Sequence, residues 1–371
     1  MKIVQHLLLC GLLLVALSNK GIAQDAFQTE KIREHMNKAT FWQLQNPKHK
    51  DYDWTNGAFY AGVFAAYQTT GNEAIFDALL EMGKRIDWRP GLRLTHADDH
   101  VICQTFIDVA RVLKFRGENT WRMMNPTRVV LEDFIEFDYI QRHRRDVITW
   151  WWCDALFMAP PALVKYGNFT GNERFLHFSD SLFKETYDLL WDEEEALFAR
   201  DIDYLWTGKD TDKKEANGKK IFWSRGNGWV MGGLVRLLQE LPADYSERPF
   251  YEDIYKKMSA KMVSIQQEDG FWRASLLDPE SYPGGETSGT GFYCYALAWG
   301  INNGLLDKAT YEPAVRKAWA ALYSVVQKDG KVGWVQPIGQ DPRKNFGPDS
   351  WEVYGTGAFL LAGSEMVKLL D

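Results

Sequence analysis

Two kinds of apolar segment alternate along this chain. The first is apolar nearly all round and rich in small residues: "TNGAFYAGVFAAYQTTGN" from Thr55, "ADDHVICQTFIDVARVL" from Ala97, "CDALFMAPPALVKYGNFTGN" from Cys153, "RGNGWVMGGLVRLLQEL" from Arg225, "TSGTGFYCYALAWGINNGLL" from Thr287 and "YGTGAFLLAGSEMVKLL" from Tyr354. The second is amphipathic, with apolar residues at i, i+3, i+4 and i+7 and charge opposite: "NEAIFDALLEMGKRI", "NERFLHFSDSLFKETYDLLW", "PFYEDIYKKMSAKMVSIQQ" and "YEPAVRKAWAALYSVVQ". A helix apolar on every side is enclosed on every side, so the first set reads as inner helices and the second as an outer layer. Inner starts recur every 40 to 75 residues or so, the spacing of helical-hairpin repeats or a little longer. The pattern predicts an all-α fold, an (α/α)6 barrel of six inner and six outer helices. Strand signals are few: "ALFARDIDYLW" and "GKVGWVQPI" read as short strands or loops. No Pro- or Ser-rich linker interrupts the pattern, so residues 24–371 are expected to form a single catalytic domain.

Each inner segment opens on a polar residue: Asn56, Asp98-Asp99, Asp154, Asn227, Thr287-Ser288 and Thr356. In a toroid these starts converge on one mouth, and helix N-termini suit anions and polar ligands. Asp154 follows three tryptophans in "TWWWCDALFMAPP". It reads equally as an N-cap or as a general acid whose pKa the apolar indoles raise. Pro160 and Pro161 must kink or restart this helix. In "LTHADDH", a metal site on His96, Asp98, Asp99 and His100 lacks both the i, i+4 pair and a complete ligand set. One aspartate there reads as a cap and the other as the partner of Asp154. In "FWSRGNGW", Arg225 reads as a guanidinium gripping a carboxylate, with Trp229 as a stacking wall, or else as part of a solvated glycine-rich turn. "ETSGTGF" offers hydroxyls and N–H groups near the mouth, or simply a cap. His143, in "QRHRRD", brings Arg142, Arg144 and Arg145 to the same region. Trp54, Asn56, His96 and Trp151 stand beside the same helix starts and join Asp98 as candidates for substrate contact.

Composition narrows the chemistry. The 16 Trp, 16 Tyr and 21 Phe can fill a core or stack on sugar rings. A net charge of −7 with no basic stripe argues against nucleic acid, and an acidic substrate would need locally placed arginines. Lys2, the apolar run Leu7–Leu17 and Gly21-Ile22-Ala23 form a secretory signal, with the mature chain starting at Gln24 and a secreted or periplasmic location. The run is too short for a membrane span, and Cys10 inside it does not mark a lipoprotein anchor. The three remaining cysteines, Cys103, Cys153 and Cys294, have no disulfide or zinc spacing and read as buried thiols.

Taken together, "ADDH..CQTF.D", "WWWCDALFMAPPAL", "FWSRGNGWV", "EDGFWRASLLDP", "ETSGTGFYCYALAWGINNGLL" and "YGTGAFLLAGSE" resemble glycoside hydrolase family 105, the unsaturated rhamnogalacturonyl or glycuronyl hydrolases related to family 88. The resemblance runs over most of the chain and rests on the set, not on any single motif. It implies an (α/α)6 barrel, no cofactor, and a substrate left by a polysaccharide lyase, with a 4,5-unsaturated uronic acid at its non-reducing end. The implied reaction protonates the C4=C5 double bond, adds water at C5 and lets the hemiketal open, with no glycosyl-enzyme intermediate. The family's acid falls on Asp154 and its partner on the Asp98-Asp99 pair, taken as Asp99. Its arginine and tryptophan fall on Arg225 and Trp229, and an upstream histidine on His143. Two departures stand out: Cys103 where members often have glycine, and Arg200-Asp201 where many have a histidine. Other readings are a different (α/α)6 enzyme (an inverting glycosidase or an epimerase) and a non-catalytic glycan-binding protein.

Overall fold

The computed structural model describes residues 25–142 and 148–371. Helices follow in the order α1 (Thr29–Gln45), α2 (Trp54–Thr70), α3 (Glu73–Arg85), α4 (Ala97–Phe115), α5 (Trp121–Arg142), α6 (Ala155–Met158), α7 (Pro160–Thr170), α8 (Arg174–Leu190), α9 (Ser224–Leu238), α10 (Arg248–Ile265), α11 (Thr287–Asn302), α12 (Lys308–Ser324) and α13 (Val353–Leu370). The inner ring is α2, α4, the broken helix α6–α7, α9, α11 and α13. Each packs on the next, and α13 packs back on α2, which closes the ring. The remaining helices lie outside, so the fold is the (α/α)6 barrel that the alternation predicts.

Small residues let the inner helices approach closely. Gly62 of α2 lies against the backbone of Gly357 in α13, and a Cβ there would collide with the Gly357 carbonyl. Local chemistry sets the helix ends. Asp53 accepts from the Thr55 amide at 3.0 Å and opens α2, while Gly71 and Gly171, at φ 64° and 72°, close α2 and α7 in the left-handed region. Glu286 opens α11 by accepting from the amides of Ser288 at 3.1 Å and Gly289 at 2.7 Å, so "ETSGTGF" acts as a cap. Pro160 ends α6 and supplies the first residue of α7, a restart.

Among the described residues the strands are β1 (Trp191–Asp192) and β2 (Leu197–Phe198), an antiparallel pair. "GKVGWVQPI" contributes one isolated bridge, Val326 with Val332, and then runs on as loop. Cys103, Cys153 and Cys294 are buried free thiols. Among the described residues no helix is long and apolar enough to cross a membrane.

Candidate active site

The starts of α2, α4 and α6 line a cavity of about 370 Å³ with Trp54, Asp98, Trp152, Asp154, Met158 and Arg200, and Ile338, Gly339, Gln340 and Arg343 come from a loop across its mouth, while the polar starts of α9, α11 and α13 are not among its lining. Asp98 lies in the first turn of α4, and Asp154 immediately precedes α6. Asp154 makes no side-chain cap hydrogen bond. Its carboxylate instead faces the Arg200 guanidinium, with Nε 3.3 Å from Oδ2. Burial raises the Asp154 pKa, against the pull of the Arg200 and Arg225 charges. Burial and the Asp154 charge push Asp98 up to about 7. The two carboxyl groups therefore face one cavity and resist ionising together.

Neighbours fix this pair. The His96 ring packs on Trp152 with centroids 4.7 Å apart, and its Nδ1 lies 3.7 Å from Asp98 Oδ2. Burial, with the Arg93 charge, lowers the His96 pKa and keeps the ring neutral. Arg200 is set by backbone pairing: the Cys153 amide donates to the Arg200 carbonyl at 2.9 Å, and Arg200 Nη1 donates to Asp201 at 2.6 Å. The side-chain amide of Asn227 grips Phe198 from both directions, donating to its carbonyl at 3.0 Å and accepting from its amide at 2.8 Å. In this way the "RGNGW" segment steadies the strand that leads to Arg200.

Several sequence expectations need correction. Asp99 points away from the cavity into an ion pair with Arg93, whose backbone amide donates to it at 2.6 Å and whose Nε donates at 3.0 Å. Asp98 is the acid that faces Asp154. Arg225 is fully buried between the rings of Trp223 and Tyr354, with Nη1 donating to the Gln336 carbonyl at 2.7 Å and Nη2 to the Pro337 carbonyl at 3.0 Å. Those nitrogens hold the mouth loop and leave no fork open for a substrate carboxylate. Trp229 is fully buried behind Trp54, their rings 6.0 Å apart, so Trp54 forms the wall. Asn56 spends its amide on the carbonyls of His49 and Lys50 at 3.0 and 2.9 Å. Trp151 stands half exposed against Trp152, which lines the cavity, while Trp150 is core and donates to the Thr95 carbonyl at 3.1 Å. His100 is buried against the Leu94 carbonyl at 2.9 Å, so "LTHADDH" gathers no ligand set. His143 lies outside the described residues. Arg343, Gln340 and Ile338 carry no sequence signal: their loop reaches the mouth only because Arg225, Glu286 and Tyr354 hold Gln336 and Pro337 in place.

Residues 28–370 match Glycosyl Hydrolase Family 88. The chain is 46% identical to the unsaturated 3S-rhamnoglycuronyl hydrolase of Formosa agariphila, over 98% of this chain and 97% of that protein. It is 34% identical to the protein of the same name from Alteromonas sp., over 85% of this chain and 77% of the other. The solved glycosyl hydrolase family 88 structure from Bacteroides vulgatus superposes with a TM-score of 0.81 at 30% identity, covering 92% of this chain and 99% of that one. With a barrel whose inner helix starts hold two facing carboxyl groups, and a family match over nearly its whole length, this chain belongs to glycosyl hydrolase family 88.

Proposed function

We propose that the protein releases a 4,5-unsaturated uronic acid from the non-reducing end of lyase-generated oligosaccharides, with a rhamnose next to the uronate. The observation that carries the reading is the buried Asp98–Asp154 pair, whose ionisation burial disfavours and of which Asp98 is pushed up to about 7, in a cavity walled by Trp54 and Trp152. The relatives named above support the substrate class, since both names give an unsaturated rhamnoglycuronyl unit. An ordinary glycosidase needs one protonated and one ionised carboxyl flanking a glycosidic oxygen. Hydration of a double bond needs a proton donor on one side of the cavity and a water beside it.

In this mechanism the pair carries one proton. Asp154 gives it to C4, and Arg200 stabilises the carboxylate that this leaves. Water adds at C5, and its spare proton returns to the pair. The hemiketal then opens and the glycosidic bond breaks. Trp54 and Trp152 stack on the sugar, and Arg343, half exposed and paired with Asp341 at 2.8 Å, meets the substrate's anionic group. We propose further that the secretory signal read in residues 1–23 sends the protein out of the cytoplasm, where lyase products of extracellular polysaccharides arise.

The test follows loss of the conjugated uronate chromophore on unsaturated disaccharides from ulvan, rhamnogalacturonan, homogalacturonan and glycosaminoglycans. A rhamnose-linked uronate should turn over fastest, and Asp154→Asn should lower turnover by at least ~10²-fold with little change in melting temperature. Wild-type turnover by a folded Asp154→Asn enzyme would end the mechanism.

A further inference from the structure

The mouth loop of residues 336–343 is an arch that one side chain closes from inside. Gln336 stands at its root and is fully buried. Its backbone is anchored to the barrel: the amide donates to Glu286 Oε1 at 3.4 Å, and the carbonyl accepts from Arg225 Nη1 at 2.7 Å and from the Tyr354 hydroxyl at 2.6 Å. The side chain then reaches across the arch. Nε2 donates to the Asp341 carbonyl at 2.9 Å, and Oε1 accepts from the Arg343 amide at 3.4 Å. A primary amide both donates and accepts, so one residue can tie down both groups. The chain enters Gln336 by way of Trp334, at φ 55°, a conformation that a bulky residue keeps only where its surroundings hold it. The Thr287 amide supplies one such hold, donating to the Trp334 carbonyl at 2.9 Å.

Arg343 ends the arch, and its guanidinium is seated as well as its backbone. It lies over Gly339, where a Cβ would come within 3.0 Å of Nε and 3.3 Å of Nη2. The Asp341 carboxylate braces it from the side, with Oδ1 2.8 Å from Nε. That pair is made through Nε, which leaves the outer nitrogens of the fork for a ligand in the cavity that Arg343 lines. An arginine on an untethered loop samples many rotamers, and a ligand must order it before gaining from it. Here the backbone and the guanidinium are both held beforehand. We propose that Gln336 and Gly339 are positioning residues that preform Arg343 as the cationic fork of the cavity. The proposal rests on the reading above, in which Arg343 meets the substrate's anionic group. Gln336 does not line the cavity, so its effect on substrate passes through the loop. Gly339 acts by lacking a side chain, which gives the guanidinium its seat.

The experiment reads KM and kcat on an unsaturated disaccharide by chromophore loss. Gln336→Met keeps the length of the side chain and every backbone bond but loses the amide that closes the arch. Its KM should rise roughly five- to twentyfold while kcat stays within about twofold. In an Arg343→Ala background, whose own KM is already raised, the same substitution should add nothing, because both changes remove one interaction. Gly339→Ala should raise KM about threefold, again only while Arg343 is present. If Gln336→Met fails to fold, Gly339→Ala carries the test, since the added Cβ displaces only the tip of a flexible side chain. A wild-type KM in folded Gln336→Met or in Gly339→Ala would overturn the proposal. So would a KM effect that persists undiminished without Arg343, or a loss of kcat as large as the rise in KM. A wild-type enzyme that turns over no unsaturated disaccharide would overturn the functional reading and this proposal with it, so wild-type turnover tells the two failures apart.

Discussion

At Asp98 the needs of catalysis oppose those of stability. Its carboxyl is harder to ionise in the folded protein than in the unfolded chain, where the ordinary value is 3.8, because of burial and then the Asp154 charge. The sign follows from linkage. The protonated group carries no penalty at low pH, and folding loses stability as pH rises from the unfolded value through about 7. Asp98→Asn removes the ionisable group and should stabilise the protein near pH 8 by on the order of 2–4 kcal/mol, with almost no gain near pH 4. Melting curves at both pH values check this, and an equal difference at the two would show that Asp98 ionises normally. The same variant should lose at least ~10²-fold in turnover. Sequence alone could not choose between Asp98 and Asp99, since adjacent helical residues point about 100° apart and either can face the mouth. The deciding contact is Arg93, six residues upstream, which claims Asp99. Arg225 shows the same limit over a longer range, because its partners Gln336 and Pro337 are more than a hundred residues away.

The helices were more legible than the side chains. Their periodicity is local, and the six inner segments appear in the structure within a residue or two of where the apolar pattern starts them. Two outer helices escaped the pattern. Helix α5 carries Pro126 inside it, and α1 spreads its buried Ile32, Met36 and Ala39 among polar residues. What binds the inner helices at the end away from the active site was also invisible. Lys165 of α7 lies between Asp108 of α4 at 2.7 Å and Glu240, just past α9, at 2.8 Å. Burial pushes Glu240 up, but Arg111 and Lys165 together hold it well below the usual carboxylate range. Lys165→Met should fill the space yet leave two buried carboxylates short of a cation, at a cost of about 3–5 kcal/mol. The melting temperature should drop by several degrees, with KM for the substrate nearly unchanged, since the network lies at the opposite end of the barrel. A variant as stable as wild type would show that Arg111 and Arg236, 3.7 and 3.6 Å from Asp108, neutralise the site without the lysine.

For the molecule as a whole, the proposed cleavage after Ala23 can be set against where the barrel begins to hold the chain. Ala26 is almost fully buried, its carbonyl accepts from Trp319 Nε1 at 2.6 Å, and Phe27 lies under the Arg316 guanidinium at 5.1 Å. The proposed cut after Ala23 therefore leaves intact the segment that caps α12. A cut even a few residues later would strip the acceptor from a buried indole N–H, at a cost of about 1–3 kcal/mol. Two truncations separate these cases. A chain starting at Gln24 should melt with the full-length protein and retain its turnover. A chain starting at Gln28 should melt several degrees lower, because Trp319 loses its partner and α12 loses its cover. Mass spectrometry of the exported protein should then find Gln24 at its N-terminus. An exported protein beginning beyond Ala26 with an undiminished melting temperature would contradict both the cleavage site and the role given to the Ala26–Trp319 contact.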